Sequence, residues 1–292
     1  MKKFPFIIFV FFALIIQTIS VCRANSIPLG LVDDHLNLVI SASDDAKTVN
    51  FYGEVLGLKR ISDIELPENR KMIRYIAGES ELKFIIRNKN SSIIDSNFSN
   101  EIGIRQLTLF IPIERKEDII DKILKNSIKL PKFINSKIGS IHISKTVIKD
   151  FDGNIVELVF LSDELENYDF NTSEFQLNVT DTKITGIFLN NILGFKYIKN
   201  EEGQGIFKIG KTLIKLNEVK DPSKKRVGLP GQIKGYSLVQ FVVNDVIASR
   251  NQILKNGGKI HTEPYNIGDL AIIMFIESPD GILFEFGAAL VK

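Results

Sequence analysis

Asp150-Phe-Asp-Gly-Asn-Ile-Val-Glu157 and Ser278-Pro-Asp-Gly-Ile-Leu-Phe-Glu285 close two stretches of the chain in the same way. In each, Asp-Gly makes a tight turn, because glycine tolerates positive φ and aspartate bonds its own backbone. An apolar run follows as a strand and carries a glutamate five residues after the Asp. A carboxylate in an apolar strand is costly to bury unless it is paired, hydrated or bound to a cation. Glu157 and Glu285 therefore mark site positions.

The segments upstream repeat as well. Asp44 to Gly57 and Asp181 to Gly194 each read as a helix with an aspartate N-cap and a glycine stop, each preceded by a short alternating strand, Leu36 to Ser41 and Phe175 to Val179. Ile123-Leu-Lys-Asn126 and Ile253-Leu-Lys-Asn256 close a second helix in each half. The offset between partners falls from 137 (Asp44 to Asp181) through 130 (Ile123 to Ile253) to 128 (Glu157 to Glu285). A slowly drifting offset is the mark of a duplicated unit with small loop deletions. Each half reads as strand, helix and two or three strands, twice over. The expected units begin near Leu36, Ile104, Phe175 and Gly235. Ser162 to Thr172, polar and without period, reads as the linker.

A chain of 292 residues that is 44% hydrophobic is long enough for two domains. Lys and Arg together number 37 against 35 Asp and Glu, and no basic stripe interleaved with aromatics stands out, so nucleic acid is not an expected partner. Lys224-Lys225-Arg226 reads as a solvated loop. Met1-Lys-Lys3, the apolar run Phe6 to Ile16 and Cys22-Arg23-Ala24 have the order of a secretory leader, residues 1–24, cleaved after Ala24. The expected location is periplasmic or secreted, with no membrane contact after cleavage; the alternative is tethering by an uncleaved segment. The one cysteine, Cys22, would leave with the leader, so disulfides and thiolate chemistry are excluded from the mature chain. The domain reading is 25–34 as an N-terminal segment, 35–162 as the first domain, 163–172 as linker and 173–292 as the second domain.

Ser43-Asp44, Phe51-Tyr52, Val55-Leu-Gly57-Leu58 and the Asp150 to Glu157 run resemble the vicinal oxygen chelate superfamily, which includes glyoxalase I, bleomycin and fosfomycin resistance proteins and extradiol dioxygenases. The resemblance spans nearly the whole mature chain. It implies an α+β fold of four βαβββ modules paired into two cups, as a tandem duplicated domain. It implies no single function, because this fold hosts unrelated chemistries.

In that superfamily a divalent metal sits on the cup floor, held from the first strand of each module, the last strand of the leading one and the terminal glutamate. Carried over, the resemblance implies a first floor of Asn37, Lys83, Gln106 and Glu157, with Thr108 the alternative to Gln106. The second floor would be Glu174, Lys215, Leu238 and Glu285. None is histidine, and a lysine in each cup repels a cation. No cofactor is therefore expected. A metal site would have to draw on His35, Glu157, Glu174 or Glu285. One reading pairs Lys83 with Glu157 and Lys215 with Glu285; the other leaves the lysines facing solvent. His35 reaches a ligand position only by a two-residue slip, and His142 and His261 read as packed or surface residues. Phe51, Tyr52, Phe188 and Phe195 read as core.

Three functions follow as expectations. The first is metal-free binding of a small molecule in one or both cups. The second is a metal-dependent lyase, transferase or dioxygenase, so whether the chain is an enzyme stays open. The third is a structural or interaction module with closed cups. Catalytic residues, ligand identity and oligomeric state are not legible.

Overall fold

Among the described residues, three of the four α-helices start on an aspartate whose side chain accepts backbone N–H groups of the first turn. These caps are Asp44, Asp181 and Asp245. The computed structural model describes residues 29–67, 70–86, 100–129, 131–200, 203–222 and 224–290. The expected leader lies outside the described residues. No helix among the described residues is long and apolar enough to cross a membrane.

The first module is β1 (Asn37–Ala42), α1 (Asp45–Thr48, widening to π-helical pitch over Val49–Val55), β2 (Lys59–Leu66), β3 (Arg70–Ala77) and β4 (Ser80–Ile86). The second is β5 (Glu101–Pro112), α2 (Lys116–Lys125), β6 (Ile134–Ile138), β7 (Ile141–Lys149) and β8 (Ile155–Leu161). The third is β9 (Ser173–Val179), α3 (Thr182–Ile187, with π pitch over Phe188–Ile192), β10 (Lys196–Lys199), β11 (Gly205–Ile209) and β12 (Thr212–Glu218). A two-residue strand, β13 (Lys224–Lys225), precedes the fourth: β14 (Gly235–Val242), α4 (Val246–Lys255), β15 (Ile260–Ile267), β16 (Ala271–Glu277) and β17 (Leu283–Ala289). The four βαβββ modules are those expected from the sequence. Arg226 corrects the solvated-loop reading: β13 pairs with β5, and the guanidinium is buried, donating to the Ile104 carbonyl at 2.9 Å.

The modules do not pair in chain order. One sheet runs β15-β16-β17-β14-β1-β4-β3-β2 and joins modules one and four. The other runs β10-β11-β12-β9-β5-β8-β7-β6 and joins modules two and three. Each half, 35–162 and 173–292, therefore gives one module to each cup, and the expected grouping of floor residues by half is corrected. The physical reason lies in where the strands end. β8 runs parallel to β5 and ends beside Pro112, while β9 runs antiparallel to β5 and begins beside Leu109. Both strand ends lie at the same end of β5, so the short segment 162–172 suffices to step across it. The chain passes from one sheet to the other between β4 and β5 and again between β12 and β14.

One continuous apolar core runs through all four modules and takes in Phe51, Tyr52, Phe188 and Phe195. The Asp-Gly turns stitch the sheets together. Asp152, at the turn into β8, accepts from the Ser43 amide at 2.9 Å and its hydroxyl at 2.6 Å, where β1 of the other sheet meets its helix. Asp280, at the turn into β17, accepts from the Thr180 amide at 3.2 Å and its hydroxyl at 2.6 Å after β9. Each aspartate thus buries its charge among donors of the opposite sheet. Replacing Asp280 with Ala strands those donors and should cost about 2 kcal/mol in urea unfolding.

Asp150 precedes the first of these turns, and its counterpart in the second is the neutral Ser278. It accepts from the Tyr52 hydroxyl at 2.9 Å, the Asn154 side-chain amide at 2.8 Å and two backbone amides. Burial still pushes its carboxyl from 3.8 up to about 6. A raised carboxyl pKa means that the folded state holds the proton more tightly than the unfolded one. Stability from this group is greatest below pH ~4 and is lost as pH rises towards ~6, by an amount on the order of 3 kcal/mol. In urea titrations from pH 4 to pH 7, Asp150→Ser should flatten that part of the profile relative to the unaltered protein.

Candidate functional site

In the sheet of modules one and four, Asn37 of β1 lies opposite Gln240 of β14, and Gln240 lies beside Glu285 of β17. β4 brings Lys83 beside β1. The Lys83 ammonium donates to Gln240 Oε1 at 2.6 Å, and Asn37 Nδ2 donates to the same oxygen at 3.2 Å. Gln240 Nε2 then donates to Glu285 Oε1. Lys83 also lies 3.5 Å from Glu81. Burial raises the Glu285 pKa, while the Gln240 donor and the Lys83 charge pull it back. Around this relay Val39, Ile85, Leu238, Ile273, Phe275 and Leu283 form a buried apolar cluster. The floor of the first cup, Asn37, Lys83 and Glu285, is buried.

Leu238 belongs to that apolar cluster. The polar floor residue of β14 is Gln240, two residues on and therefore on the same face. The expected pairings are corrected as well: Lys83 shares its cup with Glu285, and Lys215 shares the other with Glu157 and Glu174.

The second cup has a cavity of about 80 Å³. On its floor Glu157 Oε2 accepts from Gln106 Nε2 at 3.0 Å and from the Thr108 hydroxyl at 3.1 Å, so both readings of the β5 position contribute. Thr108 lies between Glu157 on β8 and Glu174 on β9, which puts two carboxylates from different halves of the chain into one cup. Lys215 of β12 and Lys145 of β7 line the same cavity, with Phe110, Ile143, Val159 and Leu161 on its apolar side. Leu165 and Tyr168, from the segment expected to be a plain linker, complete the wall. Tyr168 is buried, with its ring 4.6 Å from that of Phe110. No periodic pattern marked Tyr168, and Lys145 sits on an alternating strand that carried no site motif.

The histidines lie apart from this floor. His35 precedes β1, and the register that sets Asn37 opposite Gln240 leaves no slip that would bring it in. His142 is exposed on β7, and His261 lies 3.2 Å from Glu277 on exposed ground.

Residues 173–286 match the sequence profile of the Glyoxalase/Bleomycin resistance protein/Dioxygenase superfamily. The fold is glyoxalase-like. Glyoxalase I from Zea mays is 18% identical with a TM-score of 0.61, the match covering 87% of this chain and 92% of that one. A putative dioxygenase from Bacillus subtilis subsp. subtilis strain 168 is 14% identical with a TM-score of 0.61, covering 91% of this chain and 86% of that one. Compared by sequence with curated proteins, the chain matches none.

A glyoxalase-like cup with a metal needs several deprotonated or imidazole donors converging on one point. In the first cup Asn37, Lys83, Gln240 and Glu285 are tied to one another, and an ammonium occupies the set. The second cup has two carboxylates, but Glu157 is engaged by neutral donors and the Lys215 ammonium lines the same cavity. Among the described residues no three His, Cys, Asp or Glu side chains group to hold an ion. Neither donor set fits a zinc, nickel or iron centre.

Lys83→Met leaves Glu285 buried with only Gln240 to oppose its desolvation, and should cost about 2 kcal/mol in urea unfolding at pH 7. Adding Glu285→Gln should recover part of that loss. The cost of Lys83→Met should shrink on acidification, because a protonated Glu285 needs no countercharge.

Proposed function

We propose that the chain binds a small molecule, without a metal, in the cup built by modules two and three. The observation that carries this reading is the cavity of that cup, where Glu157, Glu174, Lys145 and Lys215 converge beside the apolar side chains of Phe110, Ile143 and Val159. An apolar pocket with a few convergent polar groups is the usual form of a small-molecule site. The likeness to Zea mays glyoxalase I and the Bacillus subtilis putative dioxygenase is consistent with such a site but does not select a reaction. Export with removal of residues 1–24 is part of the proposal and rests on the charged, apolar and small-residue order of that segment. N-terminal sequencing of protein recovered outside the cytoplasm should begin at Asn25.

A second reading, a metal-dependent lyase, transferase or dioxygenase, has one observation in its favour: Glu157 and Glu174 share a cup. Lys145 and Lys215, which line the same cavity, weigh against it. The third reading, a structural module, suits the first cup alone.

Ligand-observed NMR with a fragment library tests the binding reading. Fragments should bind the intact protein and lose at least about tenfold in affinity on Glu157→Gln or Lys215→Met. Elemental analysis of protein purified without chelator tests the second reading. Stoichiometric zinc, iron, nickel or manganese, lost on Glu157→Ala, would replace the metal-free reading with the metal-dependent one.

A further inference from the structure

Two opposite charges line the second cavity without pairing to protein. Glu157 is half-buried and takes only neutral donors, Gln106 and Thr108, on Oε2. Among the described residues no Lys or Arg lies within ion-pair distance of it, and no carboxylate lies within ion-pair distance of Lys215, which is also half-buried. Both side chains border the same 80 Å³. Each bears part of the cost of leaving water, and no opposite charge among the described residues is in direct contact to offset it.

Resting on the reading of this cup as a binding site, we propose that its ligand is a small zwitterion, an ammonium and a carboxylate on one short apolar frame, and that Tyr168 and Leu165 set the length of that frame. The ligand ammonium meets Glu157 and its carboxylate meets Lys215. A molecule with one charge satisfies one wall and further desolvates the other, which is how a site rejects a near neighbour. The apolar frame lies against Phe110, Val159 and the Tyr168 ring.

The wall that limits its length is held in place. Leu165 and Tyr168 exchange backbone hydrogen bonds at 2.9 and 3.1 Å, closing a small bridge. One residue on, Asp169 pairs with Lys211 at the turn between β11 and β12 and accepts from the Thr172 hydroxyl at 2.8 Å. The segment that joins the two halves of the chain therefore also sets the size of the pocket.

The test is calorimetric titration of the whole chain with L-leucine, with isopentylamine, which lacks the carboxylate, and with isocaproate, which lacks the ammonium. Leucine should bind at least about tenfold more tightly than either single-charge analogue. Lys215→Met should abolish the preference over isopentylamine, and Glu157→Gln the preference over isocaproate. Tyr168→Ala should move the preference from L-leucine to L-phenylalanine; Tyr168→Leu, which keeps more of the apolar wall, serves if the first variant does not fold. Equal binding of the zwitterion and an analogue overturns the charge assignment, and an unchanged size preference overturns the role of Tyr168. If no probe binds while fragments still bind in a Glu157-dependent way, the zwitterion proposal falls and the binding site stands. If fragments fail too, both fall.

Discussion

β8 ends and β9 begins at the same end of β5, so the segment 162–172 steps across that strand and lays β9 down beside it. Nearly everything about the sites follows from this constraint. Once modules two and three share a sheet, module one is left with module four. Asn37 then meets Gln240 across 203 positions of sequence. The same constraint brings Glu157 and Glu174 together and sets Lys83 over Glu285. The aspartates of the two Asp-Gly turns fix the result, because each is satisfied by the helix start of the opposite sheet.

Strand order within a module is a local matter, written in alternation, capping aspartates and glycine stops, and for that reason it was legible. Asp44 and Asp181 could be read as caps because capping is decided within three or four residues. The choice of partner module is not local. Strand edges in this fold are chemically alike, and pairing β1 with β14 or with β5 would bury similar apolar faces. A reading by halves, natural where segments of sequence recur, gave the wrong partners to Lys83 and Lys215.

The floor positions show a second limit. Two residues on one face of a strand are equivalent to a period-two pattern, so Gln106 with Thr108, and Leu238 with Gln240, could not be ranked from sequence. In one cup both neighbours are used; in the other the apolar one packs and the polar one bridges. Tyr168 had no legible role because its position depends on a tertiary contact with Phe110 and not on any repeat. What the sequence did carry was the absence of imidazole and the presence of a lysine in each cup, and the side-chain geometry is consistent with both.

The second sheet is assembled almost entirely from an uninterrupted stretch of chain, β5 through β12, whereas the first sheet needs β1 and β17, which lie close to opposite ends of the described chain. The first cup is thus a clasp. It joins the first module to the fourth, and the Lys83–Gln240–Glu285 relay is its fastening. The two cups thus differ in what their formation requires: one can form from a contiguous stretch, while the other waits for strands far apart in sequence to meet.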